Sequence, residues 1–169
     1  TANRRDYAIM PPAPVLSNWV QDAGRKVYGV GKIGDIFSMQ GFDEVRKGRD
    51  VALMQHLSDL VGEATDGSLT FANFVEFDSE YGHRRDVSGY ARHLEWFDRE
   101  IGALIARMGP KDIMVLTADH GNDPTWPGSD HTRERVPVLV TSTRPVAQSL
   151  GICGFADVGE SIARHLGLP

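Results

Sequence analysis

The chain has 169 residues, of which 41% are hydrophobic and 24% charged, a composition typical of a soluble globular domain. Its net charge of -5, without a basic stripe, excludes a general nucleic-acid surface, and no apolar run reaches the ~20 residues of a membrane-spanning helix. The single cysteine, Cys153, cannot form an internal disulfide and no signal-peptide pattern is present, so we expect a cytoplasmic location.

The first part of the chain predicts a connector followed by short helical and strand segments. Residues 1–14 end in a proline-rich run that excludes a helix, so this segment is predicted to be a connector. A helix is predicted over 15–23, ended by Gly24. A short buried strand over 26–30 then leads into a predicted loop over 31–35.

The middle of the chain shows the clearest periodicity. Apolar residues recur at helical spacing over 50–64 and again over 88–108, where Ser88 is suited to cap the helix. Between them, the Phe- and Val-rich segment 69–77 predicts a strand whose end delivers Asp78.

The last part of the chain predicts two further strands and a final helix. The apolar segments 113–117 and 136–141 predict strands. Asp157, with Glu160 three residues later, resembles a capping box for a helix that runs through Leu166. Strands therefore alternate with helices, which predicts an α/β fold with a mostly parallel sheet covered by helices on both faces.

Two short stretches, 78–83 and 117–131, concentrate side chains that bind divalent metal ions. These residues are Asp78, His83, Asp119, His120 and His131. Both stretches begin where a predicted strand ends, which is where parallel sheets bind ligands. Imidazole and carboxylate without thiolate suit zinc, manganese or iron ions and argue against a structural zinc site. The other histidines, His56, His93 and His165, fall in predicted helices, where surface or packing roles are expected.

The spacing within each stretch also favours convergence on an ion. Asp119 and His120 are adjacent and would point to opposite faces of a regular strand. Gly121 follows them directly, which indicates that the chain has left the strand and that both side chains can turn toward one site. Asp78 and His83 are separated by a segment containing Gly82, as expected of a loop that wraps an ion.

Five blocks of the chain resemble phosphopentomutases, which belong to the alkaline phosphatase superfamily of two-metal enzymes. The blocks are Asn-Arg-Arg-Asp-Tyr at 3–7, Gly-Lys-Ile-Gly-Asp-Ile-Phe at 31–37, Phe-Asp-Ser-Glu-Tyr-Gly-His-Arg-Arg at 77–85, Thr-Ala-Asp-His-Gly-Asn-Asp-Pro-Thr at 117–125 and Ser-Asp-His-Thr-Arg-Glu at 129–134. The chain starts at Thr1, without an initiator methionine, and sets no nucleophile beside the metal residues. We therefore expect the C-terminal part of a larger metalloenzyme.

The resemblance implies a two-metal site that this chain holds in part. Asp78, His83 and His131 would bind one Mn²⁺, and Asp119 and His120 would bind the other together with an aspartate from upstream. Zn²⁺ suits the same ligands. The threonine nucleophile and most of a cap domain would also lie upstream, so that residues 1–14 are the connector from the cap and residues 15–169 the C-terminal part of the core, incomplete at its N-terminal side.

The resemblance also implies a reaction, in which phosphate moves between the 1- and 5-positions of ribose or deoxyribose through a phosphothreonine enzyme primed by a sugar bisphosphate. Lys32 is the expected ligand of the distal phosphate of the substrate. Further phosphate-binding candidates are Arg4, Arg5, Arg84 and Arg85, each of which is alternatively an ion-pair partner of the nearby Asp6, Asp78 or Asp86. Arg133 and Glu134 are expected to brace the loop that carries His131.

Two other interpretations stay open at this point. The first is another enzyme of the superfamily, such as a cofactor-independent phosphoglycerate mutase with a serine nucleophile, or a phosphatase, phosphodiesterase or sulfatase. The second is a metal-binding domain that is inactive when isolated, since two protein ligands hold one of the ions weakly. The sequence assigns no oligomeric state.

Overall fold

A computed structural model describes residues 8–133, 135–143 and 148–169. The chain divides into two compact units. Unit 1 comprises Thr1–Asn73 and Gln148–Pro169, and unit 2 comprises Phe74–Ala147. None of the helices within the described ranges is long and apolar enough to cross a membrane.

Unit 1 is built on a parallel three-stranded sheet. Its strands are β1 (Val27–Gly31), β2 (Glu44–Arg46) and β3 (Leu69–Asn73), in the order β2-β1-β3. Tyr28 lies opposite Glu44 on one side and Thr70 on the other. This arrangement confirms the predicted α/β fold with a parallel sheet.

Unit 1 also contains the helices α1 (Leu16–Asp22), α2 (Ile33–Ile36), α3 (Asp50–Glu63) and α5 (Phe155–His165). The first three contact the sheet, and α5 contacts α1. The periodic apolar residues of α3 pack inward, so that Leu53 and Leu60 are fully buried together with Val20, Val27 and Val30. Burial of this apolar surface supplies most of the stabilisation of unit 1.

Unit 2 combines a wide helical turn (Phe77–Gly82), a long helix α4 (Val87–Ile105), and strands β4 (Ile113–Leu116) and β5 (Leu139–Ser142). The two strands pair antiparallel. An aromatic cluster joins the helical turn to α4. The ring centroids of Phe77 and Phe97 lie 5.5 Å apart, and those of Phe74 and Phe97 lie 5.2 Å apart.

The structure corrects several predicted boundaries in unit 1. The segment 31–35 was predicted as a loop, but its second half is the start of α2. β2 was not predicted, because a three-residue strand with two charged residues carries no apolar alternation. The last helix begins at Phe155, so Asp157 lies within its first turn, where its carboxylate accepts a hydrogen bond from the Gly154 N–H at 2.7 Å.

Two corrections concern unit 2. The strand predicted over 69–77 ends at Asn73, and Asp78 therefore lies in the helical turn and not at a strand end. The N-cap of α4 is Asp86, whose carboxylate accepts a hydrogen bond from the Gly89 N–H, and not Ser88. The predicted strands over 113–117 and 136–141 are present as β4 and β5, the latter shifted toward its C-terminus.

The predicted connector is seen in part. Residues 8–14 contain neither helix nor strand, as the prolines predict, and residues 1–7 lie outside the described ranges. The predicted helix over 15–23 is present as α1 and is followed by Gly24 at φ 74°, a left-handed conformation that glycine adopts without steric cost.

Candidate metal centre

The helical turn Phe77–Gly82 positions two of the predicted metal ligands. It is wider than an α-helical turn, because the His83 N–H donates to the Asp78 carbonyl five residues earlier, at 2.9 Å. Wide turns of this type occur frequently at functional sites. In this geometry the Nε2 atom of His83 approaches Asp78 Oδ2 to 3.3 Å.

His131 completes a cluster of three potential ligand atoms. Its Nε2 atom lies 3.2 Å from Asp78 Oδ1 and 3.2 Å from His83 Nε2. One ligand atom from each of the three residues lies within 4.8 Å of the others. Tetrahedral ligands at about 2.0–2.1 Å from a zinc-type ion are separated by about 3.3 Å, so the spacing of the three donors fits a divalent cation.

The hydrogen bonds of His83 also fit a metal ligand. Its Nδ1 atom lies 2.5 Å from the Ser129 carbonyl oxygen, which can only accept a hydrogen bond. In the neutral imidazole the proton is therefore on Nδ1, and Nε2 carries the lone pair that faces Asp78 and His131. A carbonyl that fixes the tautomer of a histidine in this way is the usual partner of a metal-binding imidazole.

Asn122 orients the carboxylate of the cluster. Its Nδ2 atom donates a hydrogen bond to Asp78 Oδ1 at 2.7 Å. Asn122 belongs to the block 117–125, but no role was predicted for it. Its position two residues after His120 is the signal that could have identified it, because it shares the loop that follows the predicted ligands.

Asp119 and His120 lie beside this cluster. The His120 ring stacks on the His131 ring, with centroids 3.6 Å apart and planes inclined by 19°. His120 Nε2 is 3.6 Å from Asp119 Oδ2, and the His120 N–H donates to Asp119 Oδ1. The two side chains of this adjacent pair therefore lie close to each other, with His120 stacked on the cluster and Asp119, whose side chain is 80% exposed, at its edge. Their convergence on one ion stays a prediction.

The loop that carries His131 is closed by backbone hydrogen bonds. The Gly121 N–H donates to the Arg133 carbonyl at 2.7 Å, and the Thr132 N–H donates to the Gly121 carbonyl at 3.0 Å. Arg133 therefore closes this loop through its backbone, in line with the bracing role predicted for it. Glu134 lies outside the described ranges.

Polar contacts within the same loop set the electrostatics around the cluster. Thr125 donates to Asp123 Oδ1 from both its backbone N–H and its hydroxyl, and these hydrogen bonds lower the pKa of Asp123. Burial raises the pKa of the nearby Tyr90, as do the negative charges of Asp123 and Asp78. Tyr90 therefore stays a neutral phenol beside these carboxylates at neutral pH.

The remaining predicted residues make contacts other than those expected of them. Lys32 belongs to unit 1, where its exposed side chain precedes α2. Arg84 pairs with Glu80 at 2.8 Å and not with an aspartate. Arg85 donates to backbone carbonyls and to Asn122, and not to the expected Asp78 or Asp86. Arg4 and Arg5 lie outside the described ranges.

The other histidines occupy helices as predicted. His56 lies on α3 and His165 ends α5. His93 is buried on α4, where its ring stacks on Trp96 with centroids 4.8 Å apart. A packing role for His93 agrees with this position.

Comparison with known proteins identifies similar sequences along the whole chain. Residues 1–169 match the model of the metalloenzyme superfamily. The chain is 52% identical over 170 residues to a protein named phosphopentomutase from Rhizobium meliloti and 53% identical over 171 residues to one from Chelativorans. These matches cover 99% and 100% of this chain but 42% of each relative, so the chain spans about two fifths of the length of these curated relatives.

A solved structure shares the fold. The PH0037 protein from Pyrococcus horikoshii superimposes with a TM-score of 0.66, covering 88% of this chain and 51% of its own. At 17% sequence identity this similarity concerns the fold alone.

Proposed function

The chain belongs to the metalloenzyme superfamily, and from this premise we propose that it forms the C-terminal part of a phosphopentomutase. The observation that carries the proposal is the cluster of Asp78, His83 and His131, whose donor atoms face one another at 3.2–3.3 Å. The identity of about half of all positions to proteins named phosphopentomutase supports the choice of this activity within the superfamily. The proposed substrate is ribose or deoxyribose phosphate, and the proposed location is the cytoplasm.

The proposed metal ligands form two sets. Asp78, His83 and His131 hold one divalent cation, and Asp119 and His120 contribute to a second that needs a further ligand from outside the chain. Manganese is the proposed ion and zinc the alternative, since both suit carboxylate and imidazole ligands. Bound in pairs, such ions lower the pKa of a nucleophilic hydroxyl and offset the charge of the transferring phosphoryl group.

Neighbouring residues of the chain orient the proposed ligands. The Ser129 carbonyl keeps the proton of His83 on Nδ1, so that Nε2 is available as a donor. Asn122 directs Asp78 through a hydrogen bond of 2.7 Å. Lys32 is proposed to bind the distal phosphate of the substrate as a positive charge.

The proposed domain arrangement follows from the same family. Residues 1–14 connect to a cap domain, and residues 15–169 form the C-terminal part of the metal-binding core. The threonine that carries the phosphate between half-reactions belongs to a preceding segment, and a sugar bisphosphate primes it. On this proposal the 169 residues alone bind metal but do not catalyse the reaction.

A chimera tests the proposed activity. The chain replaces the matching 42% of the Rhizobium meliloti relative, and conversion of ribose 1-phosphate to ribose 5-phosphate is measured with Mn²⁺ and a sugar bisphosphate. We expect turnover in the chimera and a loss of at least about a hundredfold in its His131→Ala variant. Turnover of 3-phosphoglycerate in place of ribose 1-phosphate would instead identify a phosphoglycerate mutase.

The alternative of an inactive metal-binding domain concerns the isolated chain. This alternative is favoured because three donors are available for the first ion, whereas only Asp119 and His120 are available for the second. The purified chain should bind Mn²⁺ without converting ribose 1-phosphate. Turnover by the isolated chain, in a preparation free of host enzyme, would contradict the assignment of the nucleophile to a preceding segment.

A further inference from the structure

Arg85 is the most heavily hydrogen-bonded side chain described around the metal cluster. Its guanidinium group donates to five acceptors, which are the carbonyls of Gly82, Asp123, Gly128 and Asp130 and the Oδ1 atom of Asn122. Three of these acceptors face Nη1, whose two N–H groups are shared among them, and only the planar guanidinium has enough donors to bond to the whole set.

The acceptors belong to both segments that carry the proposed ligands. Gly82 lies in the helical turn that contains Asp78 and immediately precedes His83. The other four acceptors lie in the loop that follows His120 and leads to His131. Arg85 therefore joins two segments that are about forty residues apart in sequence, such as Arg85 and Asp130 at a separation of 45.

Each of the three proposed ligands is linked to an acceptor of Arg85 by a hydrogen bond or by a neighbouring position in the chain. Arg85 Nη1 donates to Asn122 Oδ1 at 2.6 Å, which turns the Asn122 Nδ2 atom toward Asp78. The Gly128 and Asp130 carbonyls flank Ser129, whose own carbonyl accepts from His83. Asp130 directly precedes His131 in the chain.

The backbone conformation of Arg85 also indicates that its surroundings hold it in place. Its φ is 54°, in the left-handed region that residues other than glycine adopt rarely and that persists where surrounding contacts impose it. The neighbouring Arg84 provides a contrast, since its exposed side chain forms a local ion pair with Glu80, four residues earlier. Adjacent arginines thus have different roles, and Arg84 offers a matched control.

From this geometry we propose that Arg85 is a positioning residue for the metal site, setting the tautomer of His83 and the orientation of Asp78 and His131 before any ion binds. The inference rests on the proposed metal-binding function and adds to it a residue that does not itself contact the metal or the substrate. Its loss removes a supporting contact of all three ligands, so metal affinity should fall by about ten- to a hundredfold.

The test compares Arg85→Met, Arg85→Lys and the control Arg84→Met in the 169-residue chain. Co²⁺, whose visible spectrum reports its ligand geometry, is titrated into each protein. In the metal-free proteins, nitrogen-15 NMR of the imidazoles reports the tautomer of neutral His83. We expect Arg85→Met to weaken Co²⁺ binding by about ten- to a hundredfold and to increase the Nε2–H tautomer, with Arg84→Met matching the wild type in both measurements.

Arg85→Lys keeps the positive charge but replaces the planar donor group by a single ammonium. We expect it to lose about tenfold in Co²⁺ affinity, and it decides the question if Arg85→Met fails to fold by circular dichroism. If Arg85→Met folds and has the Co²⁺ affinity and the His83 tautomer of the wild type, the inference is overturned. If Arg85→Met does not fold, the same result in Arg85→Lys overturns it. If the wild type itself binds no Co²⁺, the proposed metal site fails, and the tautomer measurement alone judges Arg85.

Discussion

Replacing Gly82 by alanine should damage the metal cluster from a position that contributes no ligand. Gly82 is buried between Asp78 and His83. A Cβ atom there would lie 2.7 Å from the Cγ and Nδ2 atoms of Asn122 and 2.9 Å from the Phe77 carbonyl oxygen. Carbon atoms do not approach this closely without a shift of the neighbouring groups, and the Phe77 carbonyl belongs to the backbone and cannot rotate away.

Two opposing terms decide the size of the effect. Alanine is favoured over glycine in a helical turn by up to about 1 kcal/mol. Overpacking a filled site costs about 1–3 kcal/mol, and displacing Asn122 adds about 1–3 kcal/mol because its hydrogen bonds to Asp78 and Arg85 are lost. We therefore expect Gly82→Ala to lower the free energy of unfolding by about 3 kcal/mol.

Gly102→Ala is the matched control, because Gly102 lies in α4 and a Cβ atom there would meet nothing within 4 Å. This variant should be more stable than the wild type by up to about 1 kcal/mol. Urea unfolding of the metal-free proteins measures both changes in unfolding free energy, and we expect the dependence on urea concentration to have the same slope in all of them. A Gly82→Ala protein that is as stable as the wild type would refute the close packing of Gly82 against Asn122.

The remaining predictions concern unit 1. Leu53→Ala should lower the free energy of unfolding by about 3 kcal/mol, since Leu53 is fully buried and leaves a cavity; a loss below 1 kcal/mol in urea unfolding would contradict this packing. Hydrogen bonds from Gln21, Lys26 and the Val27 N–H lower the pKa of Asp43 to about 2. A lowered carboxyl pKa stabilises the fold above the unfolded value, and this stabilisation is lost as the pH falls from about 4 to about 2. In Asp43→Asn, the free energy of unfolding should therefore fall by about 1 kcal/mol less than in the wild type as the pH is lowered from about 4 to about 2. An unchanged dependence of the unfolding free energy on pH would contradict the lowered pKa of Asp43.

The sequence predicted the helices best where apolar periodicity was long. The helix predicted over 50–64 is α3, and its predicted apolar positions include the buried Leu53 and Leu60. The helix predicted over 88–108 is α4, but its cap was misassigned. Both Asp86 and Ser88 are good capping residues, and the hydrogen bond that distinguishes them depends on the preceding turn.

The end of β3 could not be read from local sequence. Phe74, Val75 and Phe77 have high strand propensity and continue the pattern of the strand, yet β3 ends at Asn73. Phe74 and Phe77 pack instead against Phe97 of α4, a partner about twenty residues away. Tertiary packing of aromatic side chains here overrides strand propensity.

The composition of the site was easier to predict than its supporting contacts. Chemical type and spacing selected five residues, and the structure brings together the donor atoms of three of them, Asp78, His83 and His131. The orienting contacts of Asn122 and Arg85 depend on the meeting of two distant segments, which no local pattern reveals. Whether these residues bind metal stays a prediction.

Calorimetric titration of Mn²⁺ into the metal-free chain and its His131→Ala variant tests the central claim most directly. His131 is one of the three proposed donors of the first ion, and its Nε2 atom lies 3.2 Å from both other proposed donor atoms. We predict that the wild type binds one ion and that binding is weakened at least about tenfold in the variant. Equal affinity in the two proteins, or no specific binding by the wild type, would contradict the assignment of Asp78, His83 and His131 as metal ligands.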